Sequence, residues 1–375
     1  MFFARGGKLH AGEPFDLVFM GSAYDGKGGF SREFRSFSAT HQLPDNLYVR
    51  APNGGFGTEA IFTQAWRLRG TRALLVGLFF LSVMGLFIAQ RKLTERQSRL
   101  STVHLGVLAI SVVVVGFSFR AQPSITQLLT LGDGLLTGLR WELYLSEPTL
   151  FVSWLGILAV TVVWGRGVFC GWICPFGALS EVLFRLGQRL GLPKIELPDA
   201  VHRRARLVRY GLLLTLFVSF WWSAELGEFL AEVEPFKTTF LVVPWIRHWV
   251  FFGWWALLLT LSLFWLRPFC RYLCPLGAAL ALPTRWSWQK LPRRMACKTC
   301  RICRRGCQYR AFRPDGGINP YECLSCLECE VHYQDPEVCP PLVGIAAISR
   351  ITGELNRSTL KKRLDRLQEK KEEWI

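Results

Sequence analysis

No nucleotide-binding loop, catalytic triad or hydrolytic carboxylate pair is recognisable in these 375 residues, so nucleotide-dependent and hydrolytic chemistry have no motif to rest on. Acidic residues are scarce: 28 Asp and Glu face 45 Lys and Arg, a formal charge of +17. That excess alone would suit a nucleic-acid binder, but the basic residues flank apolar runs, and membrane topology imposes that distribution. No nucleic-acid contact is expected. Histidine is sparse too, with six in the chain, and His104 is the one set well inside an apolar run. The opening MFFARGGKLHAGEPFDLVF has no clean apolar core of the kind a signal peptide carries.

Hydrophobic residues, in contrast, make up half the chain, with 15 Trp and 28 Phe. The mean hydropathy of +0.23 is too high for an ordinary soluble domain and fits a multi-pass membrane protein. Charge-free apolar runs occur at 73–89, 103–119, 149–165, 210–224 and 249–266. Each reaches bilayer length once its semi-polar flanks are included. The loops between them alternate in charge. Loop 90–102 holds Arg91, Lys92, Arg96 and Arg99 against Glu95, and loop 185–209 holds seven basic residues against Glu196 and Asp199. Loops 120–148 and 225–248 lean acidic, through Asp133, Glu142, Glu147, Glu225, Glu228, Glu232 and Glu234. The expectation is five spans with a periplasmic N-terminus and a cytoplasmic C-terminus, in a bacterial inner membrane. Arg67, Arg69 and Arg72, ahead of the first run, go against that orientation. Residues 1–65 are expected to be the remnant of a periplasmic domain, because FDLVFMGSAYDGKGGFSREF resembles the last strands of a small domain.

Twelve cysteines fall in two groups. Eight crowd into 297–339 as CKTCRICRRGC and CLSCLECEVHYQDPEVCP, that is C-x2-C-x2-C-x3-C followed by C-x2-C-x2-C-x9-C-P. Two-residue gaps let three thiolates close over one face of a cubane from a single loop, and a distant fourth Cys reaches the other cluster. By that rule Cys297, Cys300, Cys303 and Cys339 form one ligand set, and Cys323, Cys326, Cys329 and Cys307 the other. Two [4Fe-4S] clusters follow. Gln308 in place of a Pro, and the nine-residue spacer before Cys339, depart from the pattern. A zinc scaffold is the structural alternative.

The other four cysteines lie in FCGWICPFGAL and FCRYLCPLGAAL, one hundred residues apart. Pro175 and Pro275 push the preceding Cys out of the α region and suit the first turn of a new helix, expected over 176–190 and 276–282. Cys174 and Cys274 should therefore sit at helix N-termini, where thiolate is stabilised. Both motifs are expected at the cytoplasmic membrane edge. The duplication suggests pseudo-symmetric halves that bring Cys170, Cys174, Cys270 and Cys274 together. They would hold one more cluster or a single metal, form a thiol–disulfide pair, or simply pack. Arg166 and Arg267 would either stabilise thiolates or anchor the chain by the positive-inside rule. Glu232, Glu234 and Lys237 read as a solvated acidic loop or a periplasmic docking site, and His104 as a hydrogen-bonded structural residue or a quinone or haem contact. In the tail, RSTLKKRLDRLQEKKEEWI reads as a solvated charged helix.

The runs GRGVFCGWICPFGALSE, AEVEPFKT, FCRYLCPLGAALA and INPYECLSCLECEVHYQD resemble the NosR/NirI family of membrane iron–sulfur proteins over about residues 15–345. GGFSREFRSF and TGLRWE are similar to this family as well; NapH-type quinol dehydrogenases share the twin motif more loosely. The resemblance implies a role in nitrous-oxide respiration, with electrons passed toward periplasmic nitrous oxide reductase or support of its expression and maturation. It implies an electron-transfer protein rather than an enzyme with its own substrate. The electron donor would be the quinone pool or a cytoplasmic carrier. Full-length members carry covalent FMN on a Thr of a Ser-Gly-Ala-Thr-type motif. Here the nearest string, SFSATH, lacks the Gly, so FMN is not expected in this chain. The rival roles are a NapH-like quinol dehydrogenase subunit and a redox-sensing regulator without net electron flow.

The expected fold is thus an all-α multi-pass membrane protein with a small C-terminal α+β ferredoxin-like domain. Its parts are the remnant 1–65, a transmembrane region 66–285, a two-cluster domain 290–345 and a charged helical tail 346–375.

Overall fold

In the computed structural model the described residues are 15–24, 32–41, 58–137 and 144–343, less 146, 243, 290, 292, 294–296, 298–299 and 301. Glu142 and the tail 346–375 lie outside them. Two units are distinguished, Met1–Gln64 and Ala65–Ile375. The described part of the first contains a hairpin in which Phe15–Tyr24 pairs antiparallel with Arg32–His41, Phe15 opposite His41 and Tyr24 opposite Arg32.

The second unit is helical. Ala65–Ile88 and Gln97–Ser118 are long and apolar enough to cross a membrane. A third span is possible by length if Arg166–Ile173 and Pro175–Arg189, bent by 59° at their junction, are taken together. The runs at 149–165 and 249–266 form the shorter apolar helices Pro148–Trp164 and Trp249–Phe264. The run at 210–224 is the C-terminal half of Asp199–Trp222, whose N-terminal half carries Arg203, Arg204, Arg206 and Arg209. These helices turn large apolar side chains outward, among them Leu74, Leu81, Leu158, Leu214, Trp221 and Trp249. An outer surface this apolar suits lipid rather than water.

Small residues set the helix spacing. A Cβ at Gly156 would lie 2.4 Å from the Phe80 ring, and one at Gly187 would lie 2.1 Å from the Leu263 carbonyl oxygen. Membrane helices pack closely only where such residues face each other. Ser180 and Ser262 hydrogen-bond across the same interface at 2.9 Å.

The helices expected at 176–190 and 276–282 are Pro175–Arg189 and the much shorter Pro275–Ala279. The described residues of 290–345 include the short helices Ile302–Gly306 and Glu328–Gln334, helical residues at 340–343, and an isolated antiparallel bridge, Phe312 to Ile318.

Candidate functional site

The two Cys-x-x-x-Cys-Pro stretches share one backbone design. In each, the amide of the second Cys skips a turn and donates to the carbonyl five residues back: Cys174 to Phe169 at 2.8 Å, Cys274 to Phe269 at 2.9 Å. Such π-type turns are rare and concentrate at functional sites. Pro175 and Pro275 then open a new helix with Cys174 and Cys274 as N-caps, both in extended conformation. The Gly277 amide donates to Cys274 Sγ at 3.2 Å, and the Gln122 side-chain amide points at Cys174 Sγ from 3.7 Å.

Two arginines cross between the copies. Arg166, just ahead of the first motif, donates to the Gly277 carbonyl at 2.9 Å and to the Tyr321 carbonyl. Arg267, ahead of the second, donates to the carbonyls of Cys170 and, at 2.8 Å, Gly171. Both are completely buried. Positive-inside anchoring is therefore the wrong reading of them, because an anchoring arginine keeps its head in the interfacial water. Cys174 and Cys274 each lie within electrostatic reach of both Cys170 and Cys270. The motifs are buried in the packed core: Cys170 is packed with Val168, Trp172 and Leu324, and Cys270 with Phe176, Phe236 and Phe240.

Buried carboxylates balance part of this charge. Glu181 receives Arg267 at 2.5 Å and Arg185 at 2.6 Å, and the Tyr309 hydroxyl at 3.3 Å. His104 bonds the Gly171 carbonyl through Nε2 at 3.2 Å and faces Arg185 through Nδ1 at 3.1 Å, a structural bracing role. Arg209 pairs with Glu322 at 2.7 Å. Glu234 is also buried, and this corrects the solvated-loop reading. Its carboxylate accepts the Ser124 hydroxyl at 2.7 Å and the Ile125 amide at 3.3 Å. Burial pushes its carboxyl up to about 8. Glu232 instead pairs with Arg247 at 2.5 Å and Lys237 at 3.8 Å.

The C-terminal cysteines surround two adjoining cavities. One is lined by Cys307, Cys323, Cys326 and Cys329 and touches Cys303. The other is lined by Cys297, Cys300, Cys303 and Cys339. Cys303 and His332 form their common wall. The long spacer before Cys339 still delivers it to the second cavity. Arg293 donates to Cys329 Sγ at 2.9 Å, held between the rings of Phe312 and Tyr333. Burial pushes the Cys329 thiol up to about 12 and raises Cys323 and Cys326 as well. Thiols so placed ionise only beside a strong cation, so the donor set fits ligation of iron. No three Cys, His, Asp or Glu side chains among the described residues converge closely enough to enclose a single metal ion.

This region is docked on the first motif. A Cβ at Gly171 would lie 2.0 Å from the Leu324 carbonyl oxygen, and one at Gly167 would lie 2.4 Å from Ser325 Oγ. Trp172 Nε1 donates to the Ser325 carbonyl at 2.9 Å. Arg310 reaches back to Glu196 at 2.7 Å and Asp199 at 3.0 Å.

Glu181, Arg209, Glu322 and Gln122 were not singled out from the sequence. Arg209, at the edge of the run 210–224, carried no signal that sets it apart from an exposed flanking arginine. Gln122 carried none.

Cysteine-lined cavities on an apolar helical scaffold define a class, the membrane iron–sulfur proteins. Comparison with known proteins agrees. A family described as a 4Fe-4S binding domain matches residues 147–193 and again 247–294, and the NosR family matches 295–349. Regulatory protein NosR of Pseudomonas aeruginosa is 39% identical over 323 residues, 83% of this chain and 45% of that protein. Protein NirI of Paracoccus denitrificans is 38% identical over 322 residues, 83% of this chain and 46% of that protein. The methylamine utilization ferredoxin-type protein MauN of Methylorubrum extorquens is 31% identical over 150 residues, covering 39% and 49%. No solved structure matches. The chain belongs to the NosR/NirI family, and it spans about half the length of the NosR and NirI relatives it matches.

Proposed function

We propose that this chain is a membrane-bound electron-transfer protein of nitrous-oxide respiration, serving periplasmic nitrous oxide reductase or its maturation. The observation that carries the reading is the sorting of eight cysteines around two adjoining cavities. Cys297, Cys300, Cys303 and Cys339 would ligate one [4Fe-4S] cluster, and Cys307, Cys323, Cys326 and Cys329 the other. Such clusters take up and release single electrons. The residues around them do the rest. Arg293 offsets negative charge at Cys329, while Leu324 and Ser325 press the second ligand loop onto Gly171 and Trp172. The first motif is thereby in van der Waals contact with the ligand loop, and the second motif packs on Phe236 and Phe240 of the loop after Glu234. A route from the C-terminal domain through the twin motifs toward loop 231–241 is continuous in protein.

The proposed topology has five helices in lipid: Ala65–Ile88, Gln97–Ser118, Pro148–Trp164, Asp199–Trp222 and Trp249–Phe264. The apolar outward faces of the last three support it. The N-terminus is then periplasmic and the C-terminal domain cytoplasmic, in the inner membrane, with the quinone pool or a cytoplasmic carrier as donor. A second reading, a redox-sensing regulator, is favoured by the name of the relatives, regulatory protein NosR.

Iron, zinc and acid-labile sulfide are measured on anaerobically purified chain, with EPR after dithionite reduction. At least about eight iron and eight sulfide per chain are expected, with the signals of two interacting reduced clusters. Zinc without sulfide would overturn the proposal. Re-oxidation of the reduced chain by nitrous oxide reductase under turnover separates carrier from sensor.

A further inference from the structure

Arg166 has no carboxylate partner among the described residues. It is buried, its two terminal nitrogens reach only backbone carbonyls, and its Nε has no hydrogen-bond partner. Its neighbours Arg267 and Arg209 already occupy Glu181 and Glu322. A buried guanidinium without an ion-pair partner is expensive, and an anion beside it would offset that cost. Glu234 does not supply it: it bonds Ser124 and Ile125 instead. Cys170 and Glu322 lie within electrostatic reach of Arg166, but Glu322 is paired with Arg209 at 2.7 Å, and Arg166 Nη1 would touch a Cβ on Gly277, 3.5 Å from Cys274 Sγ. Donors also point at the sulfurs themselves, from Gly277 N–H and from Gln122, whose own Oε1 is buried and unpaired.

We propose that the two motif copies jointly hold one thiolate-ligated iron–sulfur cluster, a third centre with Cys170, Cys174, Cys270 and Cys274 as ligands and Arg166 as its charge partner. This rests on the electron-transfer reading above. The 4Fe-4S family matches each copy separately, yet each matched stretch contains only two cysteines, half of a cubane's ligands. The crossing of Arg166 and Arg267 between copies brings the two half-sets into one. Four thiolates on such a centre leave net negative charge beside Arg166, which is the charge the core lacks.

The test counts iron and sulfide and records Mössbauer and EPR spectra on anaerobic full-length chain, wild type and the Cys174→Ser/Cys274→Ser double variant. The expected wild-type content is about twelve iron, falling to about eight in the double variant with the ferredoxin-type signals retained. Arg166→Gln should keep the iron and lower the midpoint potential of the third signal alone, because removing a cation disfavours the reduced state. About eight iron in the wild type, with Cys170, Cys174, Cys270 and Cys274 mapped as alkylated free thiols after anaerobic denaturation, overturns this inference and leaves the ferredoxin reading standing. The same iron content with two disulfides in place of those thiols overturns it equally. No iron at all would overturn both. The wild-type count decides even if the double variant does not fold.

Discussion

The two copies of the motif are built alike but face different neighbours. Aligned on their cysteines, Gly167 and Gly171 of the first copy stand where Arg267 and Arg271 stand in the second. The glycines leave room for the backbone of residues 323–325, so the first copy is a floor for the C-terminal domain. The arginines do the opposite. Arg267 fills the space between the copies, and Arg271 stacks on Tyr272 and Tyr309, 5.2 and 5.8 Å from the ring centroids. The backbone adjusts accordingly: the left-handed turn ahead of the motif is at Gly165 in one copy, φ 86°, and at Arg267 itself in the other, φ 50°. The helices that follow differ as well, 15 residues in Pro175–Arg189 and 5 in Pro275–Ala279. The two copies thus divide the work: the first docks residues 323–325 and the second packs on loop 231–241.

Converting one copy into the other is the harshest test of that division. Gly171→Arg places a long side chain where even a Cβ would overlap the Leu324 carbonyl. The C-terminal domain cannot stay docked, and the loss should be roughly 3 kcal/mol or more. Thermal unfolding in detergent should show it. Limited proteolysis between residues 285 and 300 should accelerate, while Gly253→Ala, with open space around it, should change neither measurement. Undisturbed proteolysis in Gly171→Arg would mean that the first copy is not the docking surface.

The bridge between the halves is next in size. Glu181→Gln leaves Arg267 buried without its carboxylate, and breaking one side of such a pair costs about 3–5 kcal/mol. The double change Glu181→Gln/Arg267→Met should recover part of that loss, because neither partner then strands a charge. Denaturation midpoints of the two single variants and the double give the coupling directly. Additive losses would show that the pair does not join the copies.

Much of this was legible beforehand, and the boundary is instructive. The cysteine spacing and the Pro after each second Cys carried the motif geometry, since proline dictates where a helix begins whatever surrounds it. The grouping of Cys339 with the first loop also followed from the ligand rule rather than from its distance along the chain. Failures came where tertiary burial overrides local pattern. Arg166 and Arg267 read equally well as thiolate partners or as interfacial anchors, and Glu234 as a member of a solvated loop, because a charged residue near the end of an apolar run is usually exposed. Nothing local distinguishes one that folds inward to meet a carbonyl. Helix length is likewise not read from an apolar run: of the five runs, two become helices long enough by themselves to cross a bilayer, Ala65–Ile88 and Gln97–Ser118. Pro148–Trp164 and Trp249–Phe264 end at 17 and 16 residues.

Glu234 sharpens the comparison from the side of the second copy. Its folded-state carboxyl sits near 8, well above the ordinary carboxylate value of about 4.3. The folded state therefore holds a proton that the unfolded state releases, and stability attributable to this group is fully present below about pH 4 and falls as pH rises through 8. Melting temperature should decline between pH 5 and 8.5, and Glu234→Gln should flatten that decline and raise stability at pH 8.5. Lys237, Glu232 and Cys274 are the charged or titratable groups that act on it. An unchanged pH profile in Glu234→Gln would place the proton elsewhere. No counterpart of this effect is expected at Glu181, where arginines take the place of the Ser124 hydroxyl.

The smallest effect lies at Glu196, on the exposed rim. Hydrogen bonds from Lys194 and Arg310 hold the Glu196 carboxyl down near 2, yet half of its side chain is exposed, so solvent screens most of that interaction. Here the sign is opposite to that of Glu234: the stabilisation is present above about pH 4 and is lost as pH falls toward 2. Glu196→Gln should cost about 0.2–1 kcal/mol at pH 7, and less at high salt. Arg310 keeps the Leu197 carbonyl at 2.6 Å whether or not Glu196 is charged, so the C-terminal domain retains that tether. If Glu196→Gln released the domain as Gly171→Arg is expected to, the docking would be electrostatic and peripheral. The contact of Gly171 with Leu324 argues instead that it is steric and central, because a missing Cβ leaves a shape that salt does not weaken.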